Sequence, residues 1–231
     1  VRLSVLVPVY NEKSTIDELL SAVLAVEIAK EVIVVDDCSS DGTAAALARW
    51  ADKIQVLSHP VNRGKGAAVR TALAAATGDA VIIQDADLEY DPRDYIRLVA
   101  PIERGEAQVV YGVRALDEQR PMMRFGNRLM TMATNVLYGT HLQDVETCYK
   151  VLARKVVDRL HLRSQGFELE TELTAQIIRL GYEIYEVPIS YHPRYGEEKK
   201  LTPWDGIPTL WQLIQHRYAR LPAATNEESI Q

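Results

Sequence analysis

Cysteine is scarce: Cys38 and Cys148 are the only two in 231 residues. They stand far apart and outside any metal-ligand spacing, which excludes a disulfide framework and a zinc site and fits a reducing, cytosolic setting. No run approaches the roughly 18–20 apolar residues that a bilayer-spanning helix needs, and no signal-peptide pattern opens the sequence. Basic residues are not in excess either. The 26 Lys and Arg face 32 Asp and Glu, a net charge of -6, without the basic stripe expected of a nucleic-acid binder. An anionic partner must therefore be met locally. What is present, 47% hydrophobic and 25% charged residues, is ordinary for a soluble globular chain with a sizeable core. No internal repeat and no linker-like stretch divides it.

Through residue 112, short β-rich runs alternate with longer helical patterns, the signature of a mostly parallel sheet joined by helical crossovers. The pattern predicts strands over 3–10, 32–37, 54–59, 80–85 and 108–113. Helices are expected over 16–29, opened by a Thr15/Glu18 capping box, and over 64–77, ended by Gly78. Beyond lie helical patterns at 121–138 and 168–180, a strand at 183–191, a broken amphipathic helix at 201–221, and a polar tail, 222–231, expected to be disordered.

Ligands of open α/β sheets bind beyond the carboxyl ends of the strands. Three acidic or polar clusters fall at such ends: Tyr10–Glu12, Asp36–Asp37 and the D-A-D-L-E stretch Asp85–Glu89. In an extended segment residues i and i+2 point the same way, so Asp85 and Asp87 can share a hard cation. Mg²⁺ and Mn²⁺ take carboxylates together with substrate phosphates. The stretch N-R-G-K-G, 62–66, opens a helix with Gly64 and Gly66 around Lys65. It reads either as an anion site at a helix amino terminus, with close backbone approach to the ligand, or as a turn with solvated basic side chains. It lacks the spacing of a Walker loop or a dinucleotide fingerprint.

P-V-Y-N-E, V-V-D-D-C-S-S-D-G-T, N-R-G-K-G-A-A-V-R, Q-D-A-D-L-E-Y-D-P, V-V-Y-G-V-R, D-V-E-T-C-Y-K and G-F-E-L-E-T-E-L-T occur in that order. Together they resemble family 2 glycosyltransferases, in particular the dolichyl- and polyprenyl-phosphate mannosyl- and glucosyltransferases. The resemblance implies a GT-A fold over 1–200, with a nucleotide-sugar half at 1–112 and an acceptor half at 113–200. It further implies a nucleotide-sugar donor, a Mg²⁺ or Mn²⁺ cofactor, and a polyprenyl-phosphate acceptor glycosylated with inversion. By motif, Pro8, Tyr10, Glu12, Val34 and Asp36 would hold the nucleoside. Asp85, Ala86 and Asp87 would hold diphosphate and metal, with Glu89, where the family often has Gln, as a third metal ligand. Lys65 would bind the donor, and Arg114 would meet a donor or acceptor phosphate. Arg194 and Lys200 would belong to a basic loop closing on the diphosphate, with Lys199 a rival to Lys200. Asp87, Arg114 and Asp144 are the residues expected at the chemistry.

A lipid phosphate is already an anion and can attack without a general base, given alignment and a stabilised leaving group. A hydroxyl acceptor needs a carboxylate base, for which Asp144, Glu146 and Glu170 are the candidates; Glu168 and Glu172 read as helix-start charges. On 121–138, Met122, Phe125, Leu129, Met132 and Val136 recur at helical spacing beside a polar row of Arg124, Arg128, Thr131 and Asn135. Either the apolar row meets lipid while Arg124 and Arg128 meet the acceptor phosphate, or this is a core helix with solvated arginines. The 201–221 segment, with Trp204, Trp211, Arg217, Tyr218 and Arg220, suits a membrane interface, the core or a second subunit. The reading is a hexosyltransferase peripheral to the cytosolic membrane face, with a separate membrane partner or a homo-oligomer allowed and no nucleic acid. A transferase to a polysaccharide hydroxyl, a sugar-phosphate nucleotidyltransferase and a non-catalytic nucleotide-sugar binder are the rivals. The sequence leaves the donor base and sugar open.

Overall fold

The computed structural model describes residues 1–115, 121–166, 168–193 and 206–218, with the side chains of the last segment described from residue 211 onward. The chain runs β1 (Leu3–Val9), α1 (Ile16–Ala25), β2 (Lys30–Asp36), α2 (Thr43–Ala48), β3 (Gln55–Ser58), α3 (Lys65–Ala75), β4 (Ala80–Ile83). A 3₁₀ turn at Pro92–Asp94 leads into α4 (Tyr95–Glu103), then β5 (Val109–Arg114), α5 (Pro121–Tyr138), β6 (Lys150–Ala153), α6 (Arg154–Val157), α7 (Leu169–Arg179), β7 (Tyr185–Ile189) and α8 (Gly206–Tyr218). One seven-stranded sheet is formed in the order β3-β2-β1-β4-β6-β5-β7. β6 runs antiparallel to both its neighbours and the other pairs are parallel.

The apolar runs of β1, β2 and β4 are buried along nearly their whole length, as strands covered on both faces should be. Their order, β2-β1-β4, sets the three polar clusters side by side at one edge of the sheet: Asp36 pairs with Val9, and Gln84 N–H donates to Leu6 O just past β4. The loops after β1 and β2 are bound to each other. Asn11 N–H donates to Ser39 Oγ, Ser40 N–H to Asn11 Oδ1, and Glu12 N–H to Thr43 Oγ1.

Several local expectations change. Thr15 caps α1 without a side-chain bond to the helix; its hydroxyl turns back to Glu12 O and Glu12 Oε2, so no capping box with Glu18 forms. β4 ends at Ile83 and the chain turns at Ala86–Asp87, with Leu88 in the left-handed region at φ 62°. The alternation argument for Asp85 and Asp87 therefore fails, because the segment is not extended. β6 is an addition: four residues after a polar loop give too short a pattern to read.

α5 covers 121–138 as its periodicity predicts, but its buried residues are Met130, Thr131 and Thr134. Its apolar row faces outward, with Phe125 68% and Val136 79% exposed. The inward polar face is used: Asn135 Nδ2 donates to Leu142 O, while Asn135 Oδ1 accepts from Thr140 Oγ1 and Leu142 N–H. Tyr138 O–H donates to Leu213 O, which ties α5 to α8.

Candidate active site

Past β4 the acidic loop is fixed from below by Gln84. This residue is fully buried at the end of an apolar strand; its Nε2 donates to Asp85 O at 2.8 Å, and its Oε1 accepts from Tyr95 O–H at 2.5 Å and Tyr149 O–H at 2.6 Å. The loop's far end is fixed by aromatic packing. Tyr90 and Tyr149 lie 4.7 Å apart between centroids, Tyr191 packs edge-on to Tyr90, and Tyr191 O–H donates to Glu89 Oε2 at 2.8 Å. Glu89 is thus buried and engaged with β7's exit. Among the described residues no three His, Cys, Asp or Glu side chains converge as a ready-made metal site.

Asp85 and Asp87 still have the chemistry a divalent cation needs. Burial, with Asp85 and Glu89 adjacent, pushes the Asp87 carboxyl up to about 7, and concentrated negative charge of this kind suits a hard cation. Two carboxylates leave the remaining coordination positions to donor phosphates and water. Ala86 is buried between them.

Lys65 faces these acids. Its Nζ lies 2.8 Å from Asp85 Oδ1, 2.9 Å from Asp85 Oδ2 and 3.4 Å from Glu170 Oε1. Burial opposes its charge, but Asp85, Cys148 and Glu170 outweigh this and hold its pKa well above the usual lysine value. The glycines around it serve the fold. A Cβ on Gly64, at φ 89°, would stand 2.5 Å from Gln165 O, and one on Gly66 2.6 Å from Ser164 O. The close approach they permit is to the 164–166 loop, which is itself held by Glu168 and Glu172: Glu172 accepts from Arg163 and Ser164 N–H, Glu168 from Gln165 and Gly166 N–H. The amino end of α3 is also taken. Arg63 and Gly64 N–H donate to the Asp37 carboxylate, which pairs with His59 Nδ1 at 2.6 Å, so an internal carboxylate occupies the anion-site alternative read there.

Past β5, Arg114 and Asp144 close on each other. Arg114 Nε reaches Asp144 Oδ2 at 2.7 Å and Nη2 reaches Oδ1 at 2.9 Å, with the guanidinium 5.2 Å over the Tyr191 ring. Burial works against the arginine's charge, yet Tyr90, Asp144 and Tyr191 raise its pKa further. Behind them Lys150, fully buried in β6, donates to Thr147 O and Glu170 Oε2 and sits 5.0 Å over Tyr111. Glu146 is half-buried and, among the described residues, in no ion pair. Burial pushes its carboxyl up, with Lys150 and Arg114 opposing and Glu170 and Asp144 adding to the rise.

The residues expected at the nucleoside divide. Pro8, Tyr10, Glu12 and Asp36 stand at the ends of β1 and β2, where Asp36 Oδ1 accepts from Ser39 N–H at 3.0 Å. Val34 is fully buried inside the sheet, in β2. Arg124 is half-buried and Arg128 exposed on α5. Arg194, Lys199 and Lys200 lie outside the described residues, as do Trp204 and Arg220. Gln84 and Lys150 were missed; a lone polar residue at the end of an apolar run was the available signal for the first, and a lysine opening a short strand gave none for the second.

The chain is similar to known proteins in both fold and sequence. Glucosyl-3-phosphoglycerate synthase of Mycobacterium tuberculosis, solved with Mn²⁺, uridine-diphosphate-glucose and phosphoglyceric acid, superposes with TM-score 0.72 at 25% identity, covering 94% of this chain and 79% of that one; the fold is GT-A. The Haloferax volcanii low-salt glycan biosynthesis hexosyltransferase Agl6 is 29% identical over 95% of this chain and 54% of its own length. Glycosyltransferase AglJ of the same organism is 30% identical over 86% and 66%. The undecaprenyl-phosphate 4-deoxy-4-formamido-L-arabinose transferase of Pseudomonas fluorescens is 27% identical over 91% and 63%. The chain therefore spans roughly half to two thirds of these curated relatives. The sequence pattern of glycosyl transferase family 2 matches residues 4–160, more than half of the 231, and the chain belongs to that family.

Proposed function

We propose that this glycosyltransferase moves a hexose from a nucleotide-sugar to a polyprenyl phosphate, with inversion and with Mg²⁺ or Mn²⁺ held by Asp85, Asp87 and the donor diphosphate. The observation that carries the acceptor class is the state of the candidate bases. Both oxygens of Asp144 hold Arg114, and Glu170 faces Lys150 and Lys65, so neither is disposed to take a proton from a hydroxyl. An acceptor that brings its own negative charge needs no base. Arg114 stands ready to exchange Asp144 for that phosphate, as a guanidinium fork suits either partner. The metal, when bound, supplies charge stabilisation for the departing nucleoside diphosphate. The bared apolar row of α5, with Trp211 and Tyr218 exposed on α8, supports contact with a lipid surface.

Glu146 favours a second reading. Among the described residues it stands outside the ion pairs, and its carboxyl is raised, properties that suit a general base for a hydroxyl acceptor. A panel of nucleotide-sugars with Mn²⁺, with and without a short polyprenyl phosphate, separates the two. Sugar entering the organic phase with one donor, and persisting in Glu146→Gln, is the expected result. Transfer confined to a saccharide acceptor and abolished by Glu146→Gln, with donor binding intact, overturns it.

A further inference from the structure

We propose that Lys65 is a resident cation on Asp85 that transfers to Glu170 when a divalent ion takes Asp85, so that Glu170 sets metal affinity through Lys65 as a positioning residue. The inference rests on the reading of Asp85 and Asp87 as carboxylates of a metal site. Lys65 Nζ lies within 2.8–2.9 Å of both Asp85 oxygens. A divalent ion cannot use Asp85 until that ammonium leaves, and the lysine side chain is only 13% exposed, so solvent is a poor destination.

A destination is already built. Glu170 Oε1 stands 3.4 Å from the same ammonium, is buried, and has no hydrogen-bond partner. Buried acceptors are nearly always satisfied, and the cation already paired with this one across 3.4 Å is Lys65 itself. Its sister oxygen, Oε2, is fixed by Lys150, which is itself fully buried and bound to Thr147 O. Glu170 therefore cannot turn away, and a shift of a few tenths of an ångström on the flexible lysine stem completes the new bond. The divalent ion gains Asp85, and Lys65 keeps a carboxylate partner in Glu170. Without Glu170, the displaced ammonium would be left beside the incoming cation.

Mn²⁺ titrations followed by the EPR signal of free Mn²⁺ test this in the wild type, Lys65→Met, Glu170→Gln and the double variant. Lys65→Met is expected to tighten Mn²⁺ and Glu170→Gln to weaken it, each on the order of fivefold or more, with the Glu170→Gln effect gone in the Lys65→Met background. Equal weakening by Glu170→Gln in both backgrounds would show a plain charge effect and overturn the transfer, as would no change in either single variant. Should Glu170→Gln fail to fold, the ¹H–¹⁵N signal of the Lys65 ammonium in the wild-type protein decides: it moves on adding Mg²⁺, and an unmoved signal at saturating Mg²⁺ overturns the proposal. Asp85→Asn and Asp87→Asn run alongside. If neither alters Mn²⁺ binding, the metal-site reading itself falls and the transfer with it.

Discussion

Arg114 and Asp144 show how a residue's partner decides what it can do. Each is close to buried, at 7% and 1% side-chain exposure, and removing one partner of such a pair costs about 3–5 kcal/mol because the other charge is stranded. Arg114→Met should therefore destabilise the protein by that amount in urea unfolding, and Arg114→Met/Asp144→Leu should recover part of the loss; a double variant no more stable than the single would contradict the pairing. Asp87 makes a second residue-scale prediction. With its carboxyl pushed up to about 7, it holds a proton below that pH, and a cation must displace it; above that pH no proton competes. Mn²⁺ affinity should therefore rise about tenfold from pH 6 to pH 8, read by titration calorimetry. Affinity flat across that range would remove Asp87 from the ligand set.

At the scale of elements, α5 carries an apolar row outward and a polar row inward. Ordinary amphipathic logic buries the apolar stripe; here Thr131 and Thr134 take the buried face because Asn135 and Thr131 bind the 142–145 loop. Phe125→Ser/Val136→Ser is accordingly expected to change unfolding free energy by less than about 0.5 kcal/mol, the usual range for surface sites, while markedly reducing cosedimentation with lipid vesicles. A large loss of stability with vesicle binding intact would mean the row packs on protein. The periodicity made α5 legible as a helix, but which face is buried was set by a loop arriving from elsewhere. The same limit explains other gains and misses. Asp36, Asp85 and Asp87 were legible as strand-end acids because acids break apolar strands at their carboxyl ends. Gly64 and Gly66 announced a close approach, yet the approaching group, the 164–166 loop, lies a hundred residues away and no local pattern names it. Lys150 reads as a solvent-facing strand end until Glu170 and Tyr111 are folded around it.

At the scale of the whole molecule, charge and apolar surface make opposite demands on a lipid partner. The chain carries a net charge of -6, so its long-range field repels an anionic bilayer. No helix among the described residues is long and apolar enough to cross one. If the chain meets lipid through α5 and α8, the attraction must come from apolar contact at Phe125, Val136, Trp211 and Tyr218, with Arg128 and Arg217 contributing only near the surface. Apolar partitioning is insensitive to ionic strength, whereas binding through basic patches collapses once salt shortens the Debye length to about 3–5 Å. Binding of this 231-residue chain to zwitterionic vesicles should therefore change less than about threefold between 0.05 and 0.5 M NaCl, and addition of anionic lipid at low salt should weaken it. Steep loss with salt, or strengthening by anionic lipid, would transfer the attraction to the arginines and leave the exposed apolar row to a protein partner.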